Sequence, residues 1–225
     1  MYRHRHALLF LSLASCTSSQ GCEPTHATSV KVPDFPIHEL FVQRRSRYSL
    51  KRRLSSQKMA EQLKHLFEAA RWAPSSYNSQ PWRFFYGIQG TPAWNTILST
   101  LVPYNKEWAQ HAGALIVVTS KKNFEHNGEF SRTYAFDAGL AAAQLMLEAT
   151  NRGLIAHGMS GFDHEDARKK LQVPTDCEVL AIIAIGEATR PGDAATKEFL
   201  EREKKPQTRK KIAEFAFEGP FPTKK

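Results

Sequence analysis

The stretch Arg71-Trp72-Ala73-Pro74-Ser75-Ser76-Tyr77-Asn78-Ser79-Gln80-Pro81-Trp82-Arg83-Phe84-Phe85 decides how the chain is read. It opens as the end of a helix and closes as the start of a strand. Pro74 has no N–H and disfavours the helical region at Ala73, so the helix stops there. Pro81 acts likewise on Gln80 and favours an extended lead into Trp82. Between the prolines lie Ser75, Ser76, Asn78 and Gln80, which donate and accept hydrogen bonds without carrying charge. Such a loop suits a polar planar ligand better than it suits attack on a substrate. The other reading is a capped connection whose Ser and Asn satisfy only the backbone.

Upstream, Ser56–Ala73 has the pattern of an amphipathic helix. Met59, Leu63, Leu66, Phe67 and Ala70 form one apolar stripe, with Lys58, Glu61, Lys64 and Glu68 opposite. A shorter helix is expected over Pro36–Val42, with Ile37, Leu40 and Phe41 on one face. It runs into Gln43-Arg44-Arg45-Ser46-Arg47-Tyr48. Guanidiniums and a hydroxyl in one short turn fit a phosphate, because Arg presents a planar, permanently charged fork. A solvated basic turn is the alternative.

Downstream, the aromatic-rich Trp82–Gly87 favours a strand. Thr91 and Pro92 start a helix through Leu101, and Glu107–His111 is a short helix or turn. Leu115–Val118 is a buried strand by its β-branched run. Phe124–Arg132 is a loop. Tyr134–Arg152 is the most apolar helix, and its small residues Ala138, Gly139, Ala141, Ala142 and Ala143 suit a central core or a subunit interface. A short strand leads to His157-Gly158-Met159-Ser160-Gly161-Phe162-Asp163, where two glycines bring backbone N–H groups close to whatever lies nearby. Asp163 caps a helix through Leu171, and Val179–Ile185 is a strand. Arg190–Lys205 is charged and extended or loosely helical. Thr208–Lys211 is a second basic cluster. Phe215, Phe217 and Phe221 need a surface to bury them, a neighbouring subunit being one option.

The formal net charge of +9 gathers at Arg44–Arg53 and Arg202–Lys211. Charge concentrated in two turns, without zinc-finger spacing, a basic zipper or an RNA-binding aromatic motif, speaks for small anions rather than nucleic acid. Cys16, Cys22 and Cys177 form no disulfide framework or zinc pattern. Cys177 reads as a turn residue before a strand. The histidines are scattered, His157 and His164 reading as loop residues, so no metal site is expected. Residues 1–34 read as a leader or linker and 35–225 as the domain. A basic start, an apolar Ala7–Leu13 and Leu13-Ala14-Ser15-Cys16 have the shape of a signal or lipoprotein segment. An organelle presequence and an upstream extension are the competing readings. The expected location is cytoplasmic, with the bacterial envelope as the alternative if that segment acts near Cys16. Membrane attachment follows only if the N-terminus is lipidated.

Taken in order, Arg44-Arg45-Ser46, the Ala69–Trp82 run, Asp137-x-Gly139 in an Ala-rich helix, Gly153-Leu154, Met159-Ser160-Gly161-Phe162-Asp163 and Ile183-x-Ile185-Gly186 resemble the nitroreductase-like FMN oxidoreductases. The resemblance covers about residues 37–215. It implies an α+β fold with a central, mainly antiparallel sheet flanked by helices, and a homodimer with FMN at the subunit interface. By position, Arg44, Arg45 and Ser46 would hold the FMN phosphate and ribityl chain. Ser76, Asn78 and Gln80 would contact the flavin from the proline-framed loop. Gly158, Met159, Ser160 and Gly161 would lie along its reactive edge, and Arg209 would close on the phosphate. The chain departs from the family pattern at Tyr48, where a second basic residue is common, and at Ser160, where some members carry a carboxylate. The implied activity is hydride transfer from NADH or NADPH through FMN to a small activated acceptor such as a nitroaromatic or quinone, by ping-pong kinetics. A flavin-binding or interaction protein of the same fold without turnover is the alternative.

Overall fold

The computed structural model describes residues 33–189 and 196–222. Expectations for residues 1–32, and for the first part of the charged 190–205 segment, lie outside the described residues. Seven helices occur among them: α1 (Glu39–Gln43), α2 (Ser56–Arg71), α3 (Pro92–Thr100), α4 (Pro103–Ala109), α5 (Tyr134–Asn151), α6 (His164–Lys170) and α7 (Lys197–Lys204). The five strands are β1 (Leu50–Lys51), β2 (Trp82–Ile88), β3 (Ala114–Lys121), β4 (Leu154–Met159) and β5 (Cys177–Ala188). None of the described helices is long and apolar enough to cross a membrane.

Every strand pairing is antiparallel, and β5 is the hub. Ile182–Ile185 pairs with β3 and also with β4, so these two lie on opposite edges of β5. Glu187 faces Leu154 of β4 and Lys51 of β1, so β1 continues the β3 side. The spatial order is β2-β3-β5-β4, with β2 and β4 outermost.

Strand side chains alternate between two cores, as a period of two requires. Leu115 and Val117 of β3 and Ile182 and Ala184 of β5 face Trp94, Ile97, Trp108, Phe162 and Phe199, the layer of α3, α4, α6 and α7. Ala114, Ile116, Val118, Ile183 and Ile185 face Met59, Leu63, Leu66, Ala138, Ala141 and Leu145, the layer of α2 and α5. The α2 stripe is buried as its spacing requires, and each large side chain contributes ~1.5–3 kcal/mol. Ser55, one residue upstream, caps α2 by accepting from the Lys58 N–H at 3.3 Å. Thr91 and Asp163 cap α3 and α6.

The differences from the sequence reading have local causes. β4 runs through His157 and Met159 because those residues pair with Ala184 and Ile182. β5 begins at Cys177, which is a buried strand residue rather than a turn residue. Pro103, at the first position, starts α4 four residues before Glu107. α1 starts at Glu39 with His38 as its cap, so Pro36 lies before the helix rather than in its first turn, and Ile37 and Phe41 are exposed. The last part of the charged 190–205 segment is the ordered helix α7, pinned by Phe199 in the core.

Candidate functional site

The basic turn sits between α1 and β1. Arg44 donates to Ser46 Oγ at 3.4 Å. Burial, and then the nearby Arg209 cation, hold the Arg44 guanidinium below its ordinary range. The Arg209 charge, from the far end of the domain, is thus felt at the turn. Arg45 donates through Nη2 to the Glu203 carbonyl at 2.9 Å, while its Nε is buried without a partner. Burial followed by Arg47 lowers Arg45, and Glu203 opposes the shift. Arg47 presents its carbonyl to His157 Nδ1 at 3.0 Å. Tyr48 turns inward, stacked on Phe199 at 4.9 Å and edge-on to Trp108 at 5.4 Å. It also hydrogen-bonds Tyr104, whose hydroxyl is pushed up to about 12, by burial first and then by this bond. Tyr48 is thus a packing residue, which explains why a second basic side chain is missing there.

The proline-framed loop is a 3-10 turn over Ser76–Asn78. Tyr77, Asn78 and Gln80 all take left-handed backbone conformations, with φ of 53°, 52° and 46°. Such values are uncommon outside Gly and each costs roughly 1 kcal/mol or more. Two attachments hold the shape. Ser76 N–H donates to Asp137 Oδ2 at 3.1 Å, and Gln80 N–H donates to Ser75 Oγ at 3.0 Å. The Gln80 amide then reaches back to the Asn78 carbonyl and side chain. Beside the loop opens a cavity of about 490 Å3, lined by Tyr77, Asn78, Gln80, Arg83, Glu125 and His126 among others. Tyr77 is exposed and meets Phe124 edge-on at 5.5 Å.

The end of β4 carries the third group. Gly158 is exposed, and a Cβ there would meet nothing within 4 Å. Met159 packs its side chain in the core, leaving only its backbone for a ligand. Ser160 is exposed. Gly161 is held by α4: its carbonyl accepts from Val102 N–H at 3.1 Å and from Asn105 Nδ2 at 2.9 Å. A Cβ at Gly161 would collide with that Asn105 amide, so the glycine answers a packing demand.

Within one chain these groups fall into two places. Arg44, Ser46, Arg209 and, through Arg47 and His157, the start of Gly158–Gly161 are neighbours. Ser76, Asn78 and Gln80 lie beside β2, at the opposite edge of the sheet. Met159 aligns with Ile182, Val117 and Phe85 across the strands, three residues from Trp82. Strand spacing and rise put Met159 and Trp82 about 17 Å apart. Two residues absent from the sequence reading of the site organise it. Asp137 is buried at the first turn of α5 and holds the loop. Glu203 of α7 holds the basic turn. The Asp137 signal was visible only as part of the Asp137-x-Gly139 pattern, and nothing local marks Glu203. Among the described residues no cluster of His, Cys, Asp and Glu could hold a metal.

The model of the nitroreductase family matches residues 43–87 and 86–187. A solved oxidoreductase containing FMN is 32% identical, with a TM-score of 0.78 over 89% of this chain and all of that one. An uncharacterized 15.4 kDa protein of Mycolicibacterium smegmatis is 39% identical over 129 residues, 55% of this chain and 82% of its own length. A Bacillus subtilis protein with the provisional name NAD(P)H nitroreductase YodC is 24% identical over 61% of this chain and 83% of its own. With the all-antiparallel sheet, its two helical layers and a family match spanning more than half of its length, the chain belongs to the nitroreductase family.

Proposed function

We propose that the protein is an FMN-dependent oxidoreductase that takes a hydride from NADH or NADPH and reduces a small activated acceptor such as a nitroaromatic or quinone. The observation that carries this reading is the half-buried basic turn, where Arg44 bonds Ser46 and the Arg45 Nε is buried and unpartnered, with the Arg209 charge acting on Arg44. Gathered cations repel one another, and a phosphate dianion received among them turns that repulsion into attraction. FMN bound there would supply the hydride chemistry. The chain's own residues bind and orient: the basic turn takes the phosphate, the open space over Gly158 admits a flat ring, and the loop offers uncharged donors and acceptors.

The loop and the β4 end stand too far apart in one chain for both to touch one ring system, which supports a site shared by two copies. Further support comes from exposed apolar surface. Phe136, Gly139 and Ala143 form an exposed stripe on α5, and Phe215, Phe217 and Phe221 are exposed in the C-terminal tail. A second copy of the chain would bury both, and its Ser76, Asn78 and Gln80 would complete the site at Gly158–Gly161. The proposed assembly is a homodimer with two such sites.

The test is direct. Purified protein should be yellow, release FMN on denaturation and bleach anaerobically with NADH or NADPH. Acceptors then restore the colour, and double-reciprocal plots against donor and acceptor are parallel. Colourless protein that neither takes up FMN nor bleaches overturns the reading.

A further inference from the structure

Helix α7 and the basic turn are separated by about 150 residues in sequence, yet one side chain ties them together. The Glu203 side chain is only 10% exposed. Its carboxylate accepts from the Ser49 N–H and, at 2.8 Å, from Ser49 Oγ. Arg47 Nε lies 3.9 Å away, and the Glu203 carbonyl accepts from Arg45 Nη2. Ser49 is itself buried, and its carbonyl accepts from Thr189 N–H. The rest of α7 is fastened independently of this carboxylate. Phe199 is buried, stacked on Tyr48 and edge-on to Tyr104 at 5.2 Å, and Arg202 lies over the Tyr104 ring at 5.2 Å. Glu203 is therefore not needed to hold α7 in place. What its side chain holds is Ser49, three residues after Ser46, at the end of the basic turn.

We infer that Glu203 is the positioning residue of the anion-binding turn, setting the backbone from which Arg44 and Ser46 reach the cofactor phosphate. This rests on the FMN reading above. A carboxylate beside an anion site is at first sight unfavourable, since it repels the dianion. Its geometry explains its presence: both oxygens are engaged by Ser49, with Arg47 beside one of them, so its charge is spent locally on holding the end of the turn. Two roles therefore predict opposite signs. If Glu203 acts by position, removing it weakens phosphate binding. If it acts only as a nearby negative charge, removing it tightens phosphate binding.

The experiment compares wild type, Glu203→Ala and Glu203→Gln, each stripped of flavin, in their affinities for FMN, riboflavin and inorganic phosphate. Riboflavin shares the ring and lacks the phosphate. The expected result for Glu203→Ala is a loss of about tenfold or more for FMN and for phosphate, with riboflavin unchanged, since one ordered charge-assisted contact corresponds to about one decade. Glu203→Gln keeps an acceptor oxygen for the Ser49 N–H and recovers most of the loss. Unchanged or tighter FMN binding in both variants overturns the inference, and so does an equal loss for riboflavin. Wild type that binds neither FMN nor phosphate overturns the FMN reading itself. Normal wild-type binding with insensitive variants overturns only the role of Glu203.

Discussion

Removing the Asp137 carboxylate should release the proline-framed loop while leaving the domain folded. Three left-handed residues, Tyr77, Asn78 and Gln80, store about 3 kcal/mol at roughly 1 kcal/mol each. Against this, Asp137 Oδ2 accepts from Ser76 N–H and from Thr133 Oγ1, both at 3.1 Å. A hydrogen bond to a charged acceptor contributes about 1.5–3 kcal/mol, so the Ser76 bond alone is comparable to the strain it restrains, while the Thr133 bond fixes the carboxylate. Asp137→Asn keeps the shape and loses the charge, costing about 1.5 kcal/mol. Asp137→Ala leaves the Ser76 N–H without this acceptor and costs about 3 kcal/mol. The assay is amide exchange at Ser76–Gln80, which reads local opening apart from global unfolding. Exchange should rise about tenfold in the Asn variant and about a hundredfold in the Ala variant. Chymotrypsin should then cut after the exposed Tyr77. If Asp137→Ala leaves loop exchange within threefold of wild type, the loop is held by something other than Asp137.

Three further outcomes are expected. Gly158→Val should weaken FMN binding with little change in thermal midpoint, because its side chain enters open space and not packed core; an equal fall in midpoint would place that space inside the core. Gly161→Ala should destabilise the fold by about 1–3 kcal/mol in urea melts, because the new methyl meets the Asn105 amide that binds the Gly161 carbonyl. His157 should make stability fall on acidification. Burial pushes its imidazole below the ordinary 6.5, so the unfolded chain binds the extra proton first. Stability is full above about pH 6.5 and is lost as pH drops toward the lower folded value. Urea midpoints followed from neutral to mildly acid pH should show this slope, and His157→Gln should flatten it.

Much of the architecture was legible because it is written in local spacing. The Met59–Ala70 stripe, the Thr91-Pro92 start and the Asp163 cap carry their own physics and appear where their residues require. The prolines framing the loop also act locally. What was not legible depends on residues distant in sequence. β1 is only two residues long and exists because Leu50 and Lys51 find Ala188 and Glu187. Charge along Lys197–Lys204 masks one decisive residue, Phe199, whose burial makes α7 a packed helix. The left-handed conformations of Tyr77, Asn78 and Gln80 are invisible in a stretch with no glycine, since they are held by Ser75 from within and by Asp137 from far along the chain. Of the site, the basic turn and the glycine segment could be named from sequence. Glu203, which holds the basic turn, could not, and the hold of Asp137 on the proline-framed loop could not be read from its motif alone.

The position of β5 has a consequence for the making of the protein. It is the last strand among the described residues, yet β1, β3 and β4 all pair with it. During synthesis these three strands leave the ribosome before the partner that joins them. Until Cys177–Ala188 has emerged, β3 shows an unsatisfied edge and β4 has no partner, which is the state most open to association with other nascent chains. The sheet is completed in one late, long-range step, and only then can Glu203 reach back to Ser49. A chain interrupted before Cys177 would hold most of the sequence and, of the sheet, only the pairing of β2 with β3.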